Sequence, residues 1–230
     1  MSPDLSALEL VITADPALLA IVRLSLVVSL SAAFLAALVG VPLGALVALA
    51  TSRGRTAVIV LLNAFMGLPP VVVGLVTYLA LSHSGPLGVL EWLFTPKAMV
   101  FAQTILVTPI IAALTRQTVE DLWLEYRDEF LAMHVGPLRR VGALVWDARF
   151  SLVTALLAGF GRAAAEVGAV LIVGGNNEGL TRTMTTAIAL ETSKGDLPLA
   201  IGLGGVLMVI VVAVNAVAWG ARHVGERWAG

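Results

Sequence analysis

The sequence has no cysteine and only two lysines, Lys97 and Lys194, in 230 residues. Without thiols it forms neither a disulfide framework nor a thiolate metal site. No Gly-x-x-x-x-Gly-Lys-Ser/Thr run occurs, so the chain carries no phosphate-cradling loop for ATP. A Gly-x-Ser-x-Gly nucleophile elbow is also missing. Its three histidines, His83, His134 and His223, stand far apart and off any metal-ligand spacing. Charge is scarce too, at 13% of residues with a net of −1, where soluble domains carry about 25%. That balance exerts no pull on nucleic acid. Ordinary soluble enzymes, metalloproteins and nucleic-acid binders are thereby set aside.

What remains is apolar. Hydrophobic residues make up 59% of the chain, with 22 glycines besides, and the mean hydropathy is +0.97. A chain of this length cannot hide so much apolar surface in water. Several runs reach about 20 residues, the thickness of a bilayer core. The reading is an all-α integral membrane protein, one transmembrane domain over residues 1–230. Small-residue turns and the lack of period-two alternation exclude a β-barrel.

Five spans are expected, at about 17–50, 57–82, 98–116, 150–173 and 198–219. Pro42 is a candidate bend in the first, and Pro69-Pro70 interrupts the second as a hinge or a static kink. Leu5–Ile12 reads as a short interfacial helix, and the acidic Asp4, Glu9 and Asp15 around it are unlike a signal peptide. A Gly/Asn/Thr-rich loop is expected between spans four and five. Ser25, Ser29, Ala32, Ala36, Gly40 and Gly44 form a small-residue stripe suited to close helix packing. Asn63 in span two is a candidate bond to a neighbouring helix. Trp92, Trp123, Trp219 and Trp228 fall near the expected interfaces.

Orientation follows from the basic residues. Arg53, Arg55, Arg116, Arg127, Arg139, Arg140, Arg149, Arg222 and Arg227 fall on one side, against Lys97, Arg182 and Lys194 on the other. The positive-inside rule then puts the N-terminus outside and the C-terminus in the cytoplasm.

The polar segment 117–148 carries apolar Leu122, Tyr126, Phe130 and Met133 at helical spacing. Gly136 is the expected helix stop, and Pro137 suits the first position of a second helix. This predicts a cytoplasmic helical hairpin, a solvated linker being the alternative.

Such a hairpin resembles the EAA loop of type I ABC importer permeases. Ala132 and Gly136 keep that pattern's register. The Glu is displaced to Glu129, Phe130 occupies its usual place, and Ala148-Arg149 stands where Leu-Pro is expected. The run Gly67-Leu68-Pro69-Pro70-Val71-Val72-Val73-Gly74-Leu75 is similar to the second span of molybdate, sulfate and tungstate permeases. Gly161-Arg162-Ala163-Ala164-Ala165-Glu166-Val167-Gly168-Ala169, followed by Gly175-Asn176, resembles their penultimate span. The stretch from Thr181 to Gly195 is most similar to the tungstate type. The resemblance, over about residues 17–220, implies a permease homodimer in a prokaryotic cytoplasmic membrane, two ABC ATPase subunits and an external substrate-binding protein. ATP and Mg would be used by the ATPase, with no cofactor in this chain. The hairpin residues Glu129, Ala132, Gly136, Pro137, Arg139 and Arg140 would couple to it.

Arg162 and Glu166 lie inside the expected fourth span, where a charge costs about 2.5–3.5 kcal/mol on insertion scales. At i,i+4 they form a structural pair, or they line an anion path. Asn176, Thr181 and Arg182, with the neighbouring Asn177, Thr183, Thr185 and Thr186, either offer hydroxyl, amide and guanidinium groups to an oxyanion or form an ordinary outer loop. The expected function is the membrane subunit of an ATP-driven oxyanion importer, tungstate first and molybdate or sulfate next. An autonomous secondary transporter, which favours internal repeats, and a membrane scaffold are the alternatives from other classes.

Overall fold

The computed structural model describes residues 16–229, with side chains as far as 220 and at 223. The interfacial helix expected at Leu5–Ile12 lies outside the described residues. The elements in chain order are α1 Pro16–Leu49, α2 Arg55–Met66, α3 Pro70–Leu81, a 3-10 turn at Gly88–Leu90, α4 Pro96–Ala132, α5 Pro137–Asp147, α6 Arg149–Ala164, α7 Gly168–Gly174, α8 Met184–Lys194 and α9 Leu197–Ala229. No strand occurs among the described residues.

The frame is α1 against α4. Ser29, Ala32, Ala36, Gly40 and Gly44 are all buried, so the small-residue stripe packs within the protomer. A Cβ at Gly40 would stand 3.0 Å from the Thr108 carbonyl oxygen, and one at Gly44 would collide with that of Ala112. With no hydrophobic drive between helices in lipid, such backbone approach is what holds them. Helix α1 continues through Pro42. One apolar cluster gathers Val28, Val73, Met99, Leu106 and Val173. A second, at the other end of α1, joins Ala45 and Ala48 to Val119, Leu144 and Leu152. Helix α9 stands apart, with 11% of its apolar window buried against 61% for α4. Its outer faces are left for lipid or another subunit.

Among the described residues three helices are long and apolar enough to cross a membrane, or up to five if each bent pair counts as one span. The expected second span is such a pair, bent by 99° between α2 and α3. Pro69 is extended and Pro70 opens α3, as the restricted residue before a proline dictates. Asn63 is exposed on α2 and bonds no neighbouring helix among the described residues.

Three expectations need correction. The fourth span is not one helix over 150–173, because α6 ends at Ala164 and α7 begins at Gly168. The segment up to residue 197 is not a loop throughout, since α8 occupies Met184–Lys194. The hairpin turn does not use Gly136 as its stop. His134 takes the left-handed conformation at φ 54°. Val135 N–H bonds the Phe130 carbonyl and His134 N–H that of Leu131, a Schellman closure. Gly136 is extended and precedes α5.

Candidate functional site

The interruption of α6 gathers the interior polar groups. Glu166 sits at the break, 3% exposed. Its Oε2 accepts from Arg162 Nη1 at 2.6 Å, and its Oε1 accepts the Ala169 N–H at 3.0 Å. One carboxylate thus neutralises a guanidinium and caps the first turn of α7, where a negative charge also meets the helix dipole. Carbonyls at the break gain side-chain donors as well, Ala163 O in addition to the Glu166 N–H. Gln103 Nε2 donates to Ala163 O at 3.0 Å, and the Thr185 hydroxyl donates to Glu166 O at 2.9 Å. Irregular backbone inside an apolar bundle persists only with such replacement partners.

Thr185 reaches the break because α8 folds back against it. Thr183 opens α8 with a capping box to Thr186. The Met184 N–H donates to Ser25 Oγ at 2.8 Å, while Ser25 donates to Ile21 O at 2.8 Å. Ser25 therefore does more than pack. It anchors the start of α8 on α1. Ser29, Gln103, Ala163, Thr183 and Thr185 surround a cavity of only about 10 Å³ for a water centre, roughly one water. A tetrahedral oxyanion does not fit there in this conformation.

The sequence-chosen polar residues separate on this frame. Thr181 is wholly buried, donating to Gly174 O at 2.6 Å and accepting from Asn177 N at 2.9 Å, so its hydroxyl is committed to the loop. Asn176 is left-handed at φ 53°, bonds Thr186 O at 3.5 Å and keeps a buried Oδ1 without a partner. Arg182 pairs with Glu178 at 3.4 Å and stands away from the break. Arg162 and Glu166 are brought together; Arg182 is not brought to them.

A different character marks the hairpin. Glu129, Ala132, Gly136, Pro137 and Arg139 are all exposed. Met133 and Leu138 beside them are exposed apolar residues, Leu138 at 80%. A Cβ at Gly136 would meet nothing. Arg140 differs from this group. Its Nε donates to Val135 O at 2.6 Å and its guanidinium lies 5.6 Å over the Trp123 ring, which stacks on Phe130. Arg140 therefore builds the turn rather than lining its surface. Glu125 raises the Tyr126 pKa above its ordinary value through its charge, so the phenol stays protonated near neutral pH.

Sequence reasoning missed one cluster. Arg55 donates to the carbonyls of Val47 at 3.1 Å and Ala48 at 3.4 Å, closing the end of α1. It also pairs with Glu120, which pairs in turn with Arg116. The i,i+4 spacing of Arg116 and Glu120 was a signal for half of it. Among the described residues no group of His, Asp or Glu is placed to hold a metal.

No protein-family model matches the chain. Curated relatives do match, among them the following three. A Haloferax volcanii protein named "Probable anion ABC transporter permease protein" is 43% identical over 210 residues, 89% of this chain and 90% of that one. The tungstate uptake system permease protein of Peptoclostridium acidaminophilum is 39% identical over 95% of this chain and 96% of its own. The molybdenum transport system permease protein of Mycobacterium bovis is 30% identical over 86% and 77%. Full-length likeness at these levels, joined to an apolar helical bundle with a turned hairpin, places the chain in the ABC transporter permease family that includes the tungstate and molybdenum uptake permeases.

Proposed function

We propose that this chain is the membrane subunit of an ATP-driven importer for a tetrahedral oxyanion, tungstate first. The observation that carries the substrate is the 39% identity to a tungstate permease across 95% of the chain. Molybdate is the next candidate, on 30% identity to a molybdenum permease. Two copies would work with two ATPase subunits, which bind ATP and Mg, and with an external binding protein. The setting is a prokaryotic cytoplasmic membrane, N-terminus outside and C-terminus inside, with the hairpin on the cytoplasmic side.

The hairpin is the coupling element in this reading. Helix α4 runs unbroken from Pro96 to Ala132, so a displacement at the tip moves a transmembrane rod. Leu144 of α5 and Val119 of α4 share a core with Ala45 and Ala48 of α1, which makes the two arms one body with the frame. ATPase closure on Glu129, Ala132, Gly136, Pro137 and Arg139 would then reach the spans as rigid-body motion.

At the break, Arg162 is partly exposed while Glu166 is buried. Glu166 keeps the guanidinium neutralised while the path is shut. When the bundle rearranges, Arg162 faces the passing dianion, and the return of Glu166 favours release. Asn176 serves nearer the mouth, while Arg182, paired with Glu178, takes no part in the path.

Proteoliposomes holding the permease, its ATPase and its binding protein test this. ATP-dependent tungstate uptake, competed by molybdate more than by phosphate, is expected. Uptake without the ATPase would make the chain a secondary transporter and overturn the reading.

A further inference from the structure

A cleft unrelated to the break opens where α1 and α4 begin. Its volume is about 460 Å³, and it is lined by Ala20, Ile21, Leu24 and Val27 of α1 together with Arg23, Arg182 and Glu178. Arg23 is exposed on an otherwise apolar helix and has no hydrogen bond or ion pair among the described residues. Arg182 is 17% exposed in its side chain, its contact with Glu178 is 3.4 Å long, and its Nε is buried without a partner.

Two guanidiniums above an apolar trough need an anion attached to something apolar. An unpaired arginine within a span is costly unless it meets a phosphate at the interface, and guanidinium matches phosphate oxygens in a fork. The transported dianion fits badly. The walls are mostly aliphatic side chains, chiefly from α1, and Glu178 repels a second negative charge. We propose that this cleft is a phospholipid site. The phosphodiester sits between Arg23 and Arg182, and one acyl chain lies along Ala20, Leu24 and Val27. The bound lipid ties the start of α1 to the loop that holds α8 against the break.

The test uses delipidated full-length protein and native mass spectrometry. It compares a palmitoyl-oleoyl phosphatidylglycerol, the diacylglycerol with the same chains, and sodium tungstate. The phospholipid is expected to bind and to raise the melting temperature. The diacylglycerol should do neither, and tungstate should not displace the lipid. Arg23→Gln with Arg182→Gln should weaken lipid binding about tenfold or more, since each basic residue near a headgroup contributes about 1 kcal/mol. Glu178→Gln should strengthen it. These variants replace the exposed Arg23 and Glu178 and the partly buried Arg182 around the cleft, and unaltered helical circular dichroism verifies that they fold. Equal lipid retention by the double variant overturns the proposal. Displacement by tungstate would make the cleft an anion site, and lipid binding seen only after removal of residues 1–15 would make that segment the occupant; either result also overturns it.

Discussion

The hairpin tip and the break between α6 and α7 both concentrate polar and charged side chains, and they use them in opposite ways. At the break the key groups answer one another inside the chain: Arg162 meets Glu166, Glu166 meets Ala169, and Gln103 and Thr185 donate to the carbonyls there. At the tip, Glu129, Ala132, Gly136, Pro137 and Arg139 face outward beside the exposed Met133 and Leu138. A network closed but for the Gln103 Oε1, which is buried without a partner, holds a conformation. An open one with apolar neighbours waits for a partner. The same residue types thus mark structure in one place and an interface in the other, and only the inventory of partners separates them.

The largest expected effect falls on the closed network. Glu166→Leu strands Arg162 and uncaps α7, and the loss should reach about 3–5 kcal/mol, read by thermal unfolding in nanodiscs. Glu166→Gln keeps an acceptor for Ala169 and should lose less. Arg162→Met with Glu166→Leu should recover most of the stability, short by about 1 kcal/mol for the missing cap. Tungstate uptake by the double variant should stay incomplete, because packing does not replace the guanidinium. Full recovery of uptake would reduce the pair to scaffolding.

Somewhat smaller is the effect of Gln103→Leu, which removes one of the two donors to Ala163 O and leaves the Glu166 N–H in place, at a cost of about 0.5–1.5 kcal/mol. An unchanged melting temperature would mean that the break does not depend on its replacement partners. Glycine sharpens the contrast again. Gly44→Ala should push α1 from α4 and lose about 1–3 kcal/mol, whereas Gly136→Ala should stay within about 0.5 kcal/mol. The two glycines look alike in sequence. One faces a carbonyl across a helix pair and the other faces nothing.

That difference shows how far the sequence could be read. Apolar run length and the stripe from Ser25 to Gly44 foretold the membrane bundle and its main packing face, because both depend on local periodicity. The i,i+4 spacing foretold the Arg162–Glu166 pair for the same reason. The break did not show, since nothing in Ala163–Gly168 forbids a helix. What stabilises it comes from Gln103 and Thr185, 60 and 19 residues away from the groups they bond. Thr181, Thr183 and Thr186 read as a polar outer loop because hydroxyl-rich segments usually are one, yet here they serve each other and the backbone. Gly136 was given the role of stop through the ordinary preference for glycine there, and the register of α4 instead put His134 in that position.

The His134 position gives a further small effect. His134→Gly removes the left-handed penalty and should stabilise the hairpin by about 1 kcal/mol at most. Hydrogen exchange at the Val135 amide measures it. Slower exchange is expected, and faster exchange would mean that the His134 ring, 3.0 Å from Ala132 O, holds the turn more than its backbone conformation costs.

The central claim is that the tip is an interface and not a structural element. Gly136→Trp starts from an exposed position where an added Cβ meets nothing within 4 Å. The decisive measurement is co-purification of that variant with the cognate ATPase, made beside its melting temperature and its ATP-dependent tungstate uptake. The account predicts an unchanged melting temperature with the ATPase lost and uptake abolished. A variant that retains the ATPase and transports at the normal rate would contradict it.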